Sequence, residues 1–150
     1  ELLISLSAIG LLFASFGGVN ALIRIPSGMV SDAVGRRRPL LLSYLLAIGA
    51  FLILSGTDRL PMLVAGMMLY GAAWGLRVPP SSALLGDVVE PRELPIAMAI
   101  LWMAADLGYA VGAGLAGPIG TLIPFPTIVR SMTLVLGFCA ALILLGLEDR

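Results

Sequence analysis

Long apolar runs separated by short polar segments dominate this sequence. Each run approaches about 20 residues, the length at which a helix rising 1.5 Å per residue crosses roughly 30 Å of hydrocarbon. The alternating polar and apolar pattern of outer-membrane strands is absent, and backbone groups in lipid must be hydrogen-bonded within their own segment. The pattern predicts an all-α, polytopic transmembrane bundle in a single membrane domain. The predicted spans are 2–30, 39–55, 60–78, 95–119 and 128–147.

The composition strengthens this interpretation. Hydrophobic residues make up 59% of the 150 residues and charged residues 12%, and the mean hydropathy is +1.06. A water-soluble domain needs more charge to cover its surface. The formal net charge is zero and no nucleic-acid motif is present, so we expect no nucleic-acid partner. We expect an integral protein of a bacterial inner membrane or a plasma membrane, with lipid around it.

Histidine is absent and Cys139 is the only cysteine. This excludes disulfide frameworks, Cys/His metal sites and His-based catalytic triads. No phosphate-binding or dinucleotide-binding string occurs either. We therefore expect no catalytic residues, no metal and no cofactor, and an intramembrane enzyme built around Asp106 is the weakest of the alternative functions.

Arginine placement predicts the sidedness of the loops. Three consecutive arginines stand in the predicted linker 31–38 and Arg92 stands in the linker 79–94, whereas the opposite loops carry Arg59 and Arg130. Since positively charged loops stay cytoplasmic, the chain should start outside and end inside. With an odd number of spans and no initiating Met, we interpret the sequence as a piece of a larger bundle; a complete five-span protein is the alternative.

The first basic linker carries an ordered motif. Gly28, Asp32 and Gly35 precede Arg36 and Arg37 at fixed offsets. A glycine can take the positive φ that ends a helix and permits close helix approach. The string resembles the G-x-x-x-D-x-x-G-R-R signature loop of the major facilitator superfamily, and every position matches. A generic basic loop, the alternative, would require the arginines but not the glycine and aspartate offsets.

A second resemblance lies two spans later, where Asp87, Pro91 and Arg92 match the acid, proline and arginine that the family often shows before its fifth or eleventh helix. The resemblance implies that Asp87 lies near Arg36 and Arg37 and that the two loops form a charge-paired conformational switch. Solvated charges without mutual contact are the alternative. The segment 66–71 lacks the arginine and glutamine common in the family's fourth helix, which favours helices 8–12 over helices 2–6.

The resemblance also implies a function. Members of this family are twelve-helix secondary transporters that move a small solute by alternating access. The chain would then form most of one half, with the remaining half of the same transporter, a small-molecule substrate and protons as its candidate partners. A non-transporting receptor or scaffold of the same fold is the alternative.

Asp106 is the acid placed deepest in a predicted span, about 12 residues or roughly 18 Å from its end. Such an acid should face protein or water rather than lipid. Trp102 and Tyr109 share its helical face, and a stripe of alanine and glycine occupies the opposite face. We expect Asp106, with Trp102 and Tyr109, to bind substrate or protons; a purely structural hydrogen-bonding role is the alternative.

Three polar residues of the first run share one helical face, Asn20, Arg24 and Ser27. Arg24 could pair with Asp106 or bind an anionic substrate, or extend along its stem toward the interface. Arg77, next to Pro79 and Pro80 at a predicted span end, is expected to be an interfacial anchor.

The predicted topology can be tested by labelling single cysteines in the full-length protein after Cys139 is replaced by serine. Cysteines at positions 34 and 57 should react with a membrane-impermeant thiol reagent from opposite sides, because a single span separates them. Reaction of both from the same side would show that the topology is wrong.

Overall fold

A computed structural model describes residues 5–146, and every regular element in that range is an α-helix. The predicted all-α fold is confirmed. Within that range four helices are long and apolar enough to cross a membrane, namely Leu6–Val34, Arg37–Ser55, Leu94–Leu122 and Phe125–Gly146; the helix Leu60–Val88 is not among them. The predicted spans touch residues 2–4 and 147, which lie outside the described range. The helices are α1 Leu6–Val34, α2 Arg37–Ser55, α3 Leu60–Val88, α4 Leu94–Leu122 and α5 Phe125–Gly146.

Helix α3 continues past the end of its predicted span, so that its last turns occupy residues expected in a linker. Pro79 and Pro80 lie inside the helix. Proline has no N–H, so Pro80 leaves the carbonyl of Leu76, four residues earlier, without its usual helical donor. The hydroxyl of Ser27 on α1 donates to that carbonyl at 2.9 Å. A side chain from another helix thus satisfies the freed acceptor, as intramembrane prolines require.

Helices α1 and α3 approach each other backbone to backbone. A Cβ built on Gly71 would lie 2.4 Å from the carbonyl oxygen of Phe16, and one on Gly75 would lie 2.7 Å from that of Asn20. Gly71 and Gly75 form a G-x-x-x-G pair, the spacing that lets membrane helices pack closely. Helix α3 also packs along α2, which in turn contacts α5. Thus α3 lies at the centre of this packing.

The buried core is made of small side chains. Among the described residues, the buried apolar side chains are mostly alanines, while leucine, isoleucine, methionine and phenylalanine dominate the exposed positions. This inverted arrangement suits a lipid solvent, in which helices associate through close packing rather than through hydrophobic burial.

Helix α4 stands apart from the other helices. It buries none of its residues within the described range and makes few contacts with α3. A Cβ on Gly108, Gly112 or Gly120 would meet no described atom within 4 Å. The close packing expected along this small-residue stripe therefore stays a prediction for the full-length protein.

Replacing Gly71 or Gly75 by alanine should destabilise the full-length protein in detergent by about 1–3 kcal/mol, the usual effect of overpacking. The added methyl group would collide with a backbone carbonyl, which cannot rotate away. Thermal unfolding measures the effect.

Gly49→Ala is the matched control, because its Cβ would lie 3.6 Å from a leucine methyl, an ordinary contact. This variant should be neutral or slightly more stable, since alanine favours helix by up to about 1 kcal/mol. Equal unfolding temperatures for all three variants would contradict the close α1–α3 packing.

Candidate functional site

The turn between α1 and α2 brings three helix ends together. Gly35 ends α1 with φ 87°, a positive value that side-chain-bearing residues rarely adopt. Arg36 follows immediately as the N-cap of α2. This sharp reversal directs Arg36 back toward the end of α1 and toward the end of α3.

Arg36 is the centre of a charge cluster formed by Asp32, Arg36 and Asp87. Its Nε donates to Asp87 Oδ2 at 3.2 Å, and its Nη1 donates to Asp32 Oδ1 and to Ser31 Oγ. The Arg36 side chain is 26% exposed, and those of Asp32 and Asp87 are 69% and 55% exposed. Because the partners are solvated, each pair is worth only about 0–1 kcal/mol.

The hydrogen bond to Asp32 raises the pKa of Arg36 above its ordinary value; partial desolvation opposes this effect, and Asp87 adds to it. A base whose pKa is raised by folding stabilises the fold at every pH below its unfolded pKa, and this contribution is lost only at higher pH. Arg36 therefore stays charged throughout the physiological range.

Arg37 makes a contact that the sequence analysis did not anticipate. Its Nη2 donates to the carbonyl oxygen of Leu144 at 2.6 Å and so joins the start of α2 to the end of α5. Arg92 is exposed in the turn before α4.

A Cβ on Gly28 would lie 3.9 Å from Pro79 Cβ, an ordinary distance. The close approach of α1 to α3 is thus made at Gly71 and Gly75, which the sequence analysis missed although their spacing was visible.

The polar residues of α1 interact with each other. Arg24 Nε donates to Asn20 Oδ1 at 3.1 Å, and Arg24 is exposed. Within residues 5–146 no ion pair joins Arg24 to Asp106. The two candidate substrate-binding residues of α1 are therefore hydrogen-bonded to each other within that helix.

Asp106 is exposed on α4, and its two aromatic neighbours turn toward α3. The ring of Tyr109 lies 5.9 Å from that of Trp74, while Trp102 borders a cavity that α3 shares. The aromatic contacts continue through Tyr70 to Phe16 on α1, at 5.4 Å between ring centres. Asp106 thus lies on the face of α4 that carries these rings.

Arg77 lies inside a helix at the point where the sequence suggested a span end. It was expected to be an interfacial anchor, but it is half-buried and its guanidinium lies 4.2 Å from the ring centre of Tyr44 on α2. The suggested helix end is absent because α3 continues past Pro79 and Pro80, while the position of Arg77 relative to the membrane interface stays a prediction. Its spacing of three residues from Trp74, on the same helical face, was the available signal.

Comparison with known proteins agrees with this architecture. A family profile described as Major Facilitator Superfamily matches residues 1–150. The chain is 30% identical over 110 residues to "Probable anion transporter 5" of Arabidopsis thaliana, covering 73% of this chain and 26% of that protein. It is 33% identical over 111 residues to "Major facilitator superfamily domain-containing protein 10" of Mus musculus, covering 74% of this chain and 23% of that protein.

The chain thus spans about a quarter of the length of these curated relatives. The family profile nevertheless covers its whole length, and the helices and the turn motif fit the same assignment. The chain is an integral membrane protein that belongs to the major facilitator superfamily.

Proposed function

We propose that the full-length protein is a secondary transporter that moves a small solute across a bacterial inner membrane or a plasma membrane by alternating access. The charge cluster of Asp32, Arg36 and Asp87 is the observation that carries this proposal, because it joins the ends of three helices through bonds that are individually weak. Membership of a family of transporters supports it.

The energetics of the charge cluster suit a switch. Two exposed ion pairs together contribute about 0–2 kcal/mol, comparable with the few kcal/mol that separate the states of a two-conformation protein. A stronger, buried network would hold one conformation permanently. The cluster can therefore favour one state and still be broken in each transport cycle.

The packing of α1 against α3 provides the rigid part that a switch requires. Gly71 and Gly75 bring the two backbones into contact, and Ser27 joins the helices by a hydrogen bond. Alternating access proceeds by rocking such packed units around a site near the bilayer midplane. We propose that this chain forms most of one half, corresponding to helices 8–12, and that the rest of the same polypeptide supplies the other half.

Asp106 is our candidate for proton coupling or cation recognition, with Trp102 and Tyr109 beside it. An acid at this depth is too costly to leave in lipid, so in the full-length protein it should face water or a partner. Asn20 and Arg24, which bind each other on α1, are the second pair of candidates.

Two other functions can be separated from transport. A receptor or scaffold of the same fold would bind a solute without moving it, and an intramembrane enzyme would convert it. Membership of a transporter family argues against the enzyme.

Proteoliposomes that contain the full-length protein should take up at least one radiolabelled small solute saturably, above protein-free liposomes. Binding without uptake, measured by thermal stabilisation, would favour the receptor.

Asp106→Asn keeps the size of the side chain and removes its charge. Uptake driven by a pH gradient should fall by at least about tenfold, which corresponds to about 1.4 kcal/mol, and should lose its pH dependence. Asp58→Asn, in the exposed turn between α2 and α3, is the matched control and should transport normally. A wild-type rate with unchanged pH dependence would make Asp106 a structural residue.

Arg36→Gln and Asp87→Asn should each reduce transport several-fold while the amount of folded protein in the membrane stays close to wild type. Because the two residues share one hydrogen bond, the double variant should be little worse than either single variant. Glu90→Gln, an exposed acid near the end of α3, is the control. Parallel loss of folded protein and of transport would indicate a purely structural cluster.

A further inference from the structure

Arg77 is a cation held between aromatic rings. Its guanidinium carbon lies 4.2 Å from the ring centre of Tyr44 and 5.6 Å from that of Trp74. Both distances are within the range of cation–π attraction. The rings of α2 and α3 thereby hold the guanidinium in a defined position.

Hydrogen bonding leaves Arg77 incompletely satisfied. Its Nε reaches Ser43 Oγ at 3.5 Å, the long limit for such a bond. Its Nη2 is enclosed and has no hydrogen-bond partner among the described residues. In residues 5–146 the ion pairs formed by carboxylates go to Arg36, not to Arg77. An enclosed charge without a counter-charge is costly, so a negative charge close to the guanidinium as a whole would be stabilising.

A cavity adjoins this guanidinium. It has a volume of about 220 Å³ and lies between α2, α3 and α4. Since one water occupies about 30 Å³ of liquid, the space suits a small organic molecule. Apolar and aromatic side chains line most of it, with the hydroxyls of Ser81 and Ser82 as further polar groups. An apolar wall with a few converging polar groups is typical of small-molecule sites.

The charges around the cavity select the sign of its ligand. Arg77 lines it, and no described acid does, since Ala105 borders the cavity while Asp106 does not. The two tryptophans of the chain, Trp74 and Trp102, form part of its wall. The guanidinium matches a carboxylate in geometry, and the indole rings offer flat apolar surface to the rest of the ligand.

We propose that the cavity between α2, α3 and α4 binds a small organic anion, with the anionic group paired to Arg77 and the apolar part against Trp74 and Trp102. This inference rests on the proposed transport function, because it names the class of solute. Asp106, one residue beyond the cavity, then lies where a proton could accompany the anion.

Benzoate and benzamide test the sign of the ligand on the purified full-length protein, because they share a shape and differ in charge. Calorimetry should show benzoate binding at least about tenfold more tightly, since a hydrogen bond to a charged group contributes enough for a factor of ten or more. Benzoate should also quench tryptophan fluorescence. Equal affinities, or no binding of either compound, would overturn the proposal.

Arg77→Gln should abolish the preference for benzoate over benzamide, while Arg59→Gln, an exposed arginine at the start of α3, should preserve it. Should Arg77→Gln fail to fold, Trp102→Phe on the exposed helix α4 provides a second variant. Its benzoate-induced quenching should be weaker than that of the wild type, because one of the two indoles that line the cavity is gone. Unchanged quenching in Trp102→Phe, or an unchanged benzoate preference in folded Arg77→Gln, would contradict the site.

Cysteine labelling tests whether another part of the full-length protein fills the cavity. With Cys139 replaced by serine, Ser81→Cys should react faster with a negatively charged thiosulfonate than with a positively charged one, and benzoate should slow both reactions. If the Ser81→Cys variant reacts with neither reagent, another part of the protein fills the cavity and the proposal is wrong.

The two proposals can fail separately. Binding of benzoate in detergent does not require transport, so binding without any solute uptake would leave the anion site standing and refute the transporter. Saturable uptake of a solute without benzoate binding would refute the anion site and leave the transporter standing.

Discussion

The backbone contact between α1 and α3 is the constraint on which the other features of this molecule depend. In lipid, helices gain little from hydrophobic burial against each other, so association relies on close packing and on hydrogen bonds between helices. Gly71 and Gly75 supply the first by admitting the carbonyls of Phe16 and Asn20, and Ser27 supplies the second at Leu76. The same hydroxyl satisfies the acceptor freed by Pro80. One hydrogen bond therefore helps α3 to continue past Pro80 and also joins α3 to α1.

This contact also positions the charge cluster. Once α1 and α3 run side by side, their ends lie close together, and the turn at Gly35 directs Arg36 toward Asp32 and Asp87 at once. Arg37, one residue later, is directed to Leu144 at the end of α5. Two adjacent arginines thus serve two different helix junctions, which a motif read along the chain does not distinguish.

Arg36 and Arg77 show how differently the fold treats the same side chain. Arg36 is solvated and has two carboxylate partners, whereas Arg77 is half-buried against Tyr44 and Trp74 and has no carboxylate partner among the described residues. The first arrangement suits a contact that forms and breaks. The second leaves an attractive potential for an anion, in the space that exists because α4 stands away from α3.

The sequence by itself determined the properties that depend on local composition. Run length against bilayer thickness gave the all-α architecture and approximate helix positions, and the spacing of Gly28, Asp32, Gly35, Arg36 and Arg37 gave the family. Only the tertiary structure decided where α3 ends, because the donor that carries it past Pro80 belongs to α1. The same holds for Arg77, which the sequence places at the end of a span. The aromatic ring closest to its guanidinium belongs to α2, and the cavity beside it is lined by α2 and α4 as well as α3. One nitrogen of Arg77 has no partner among the described residues. The residue pattern within one helix does not specify which side chains the neighbouring helices place around it.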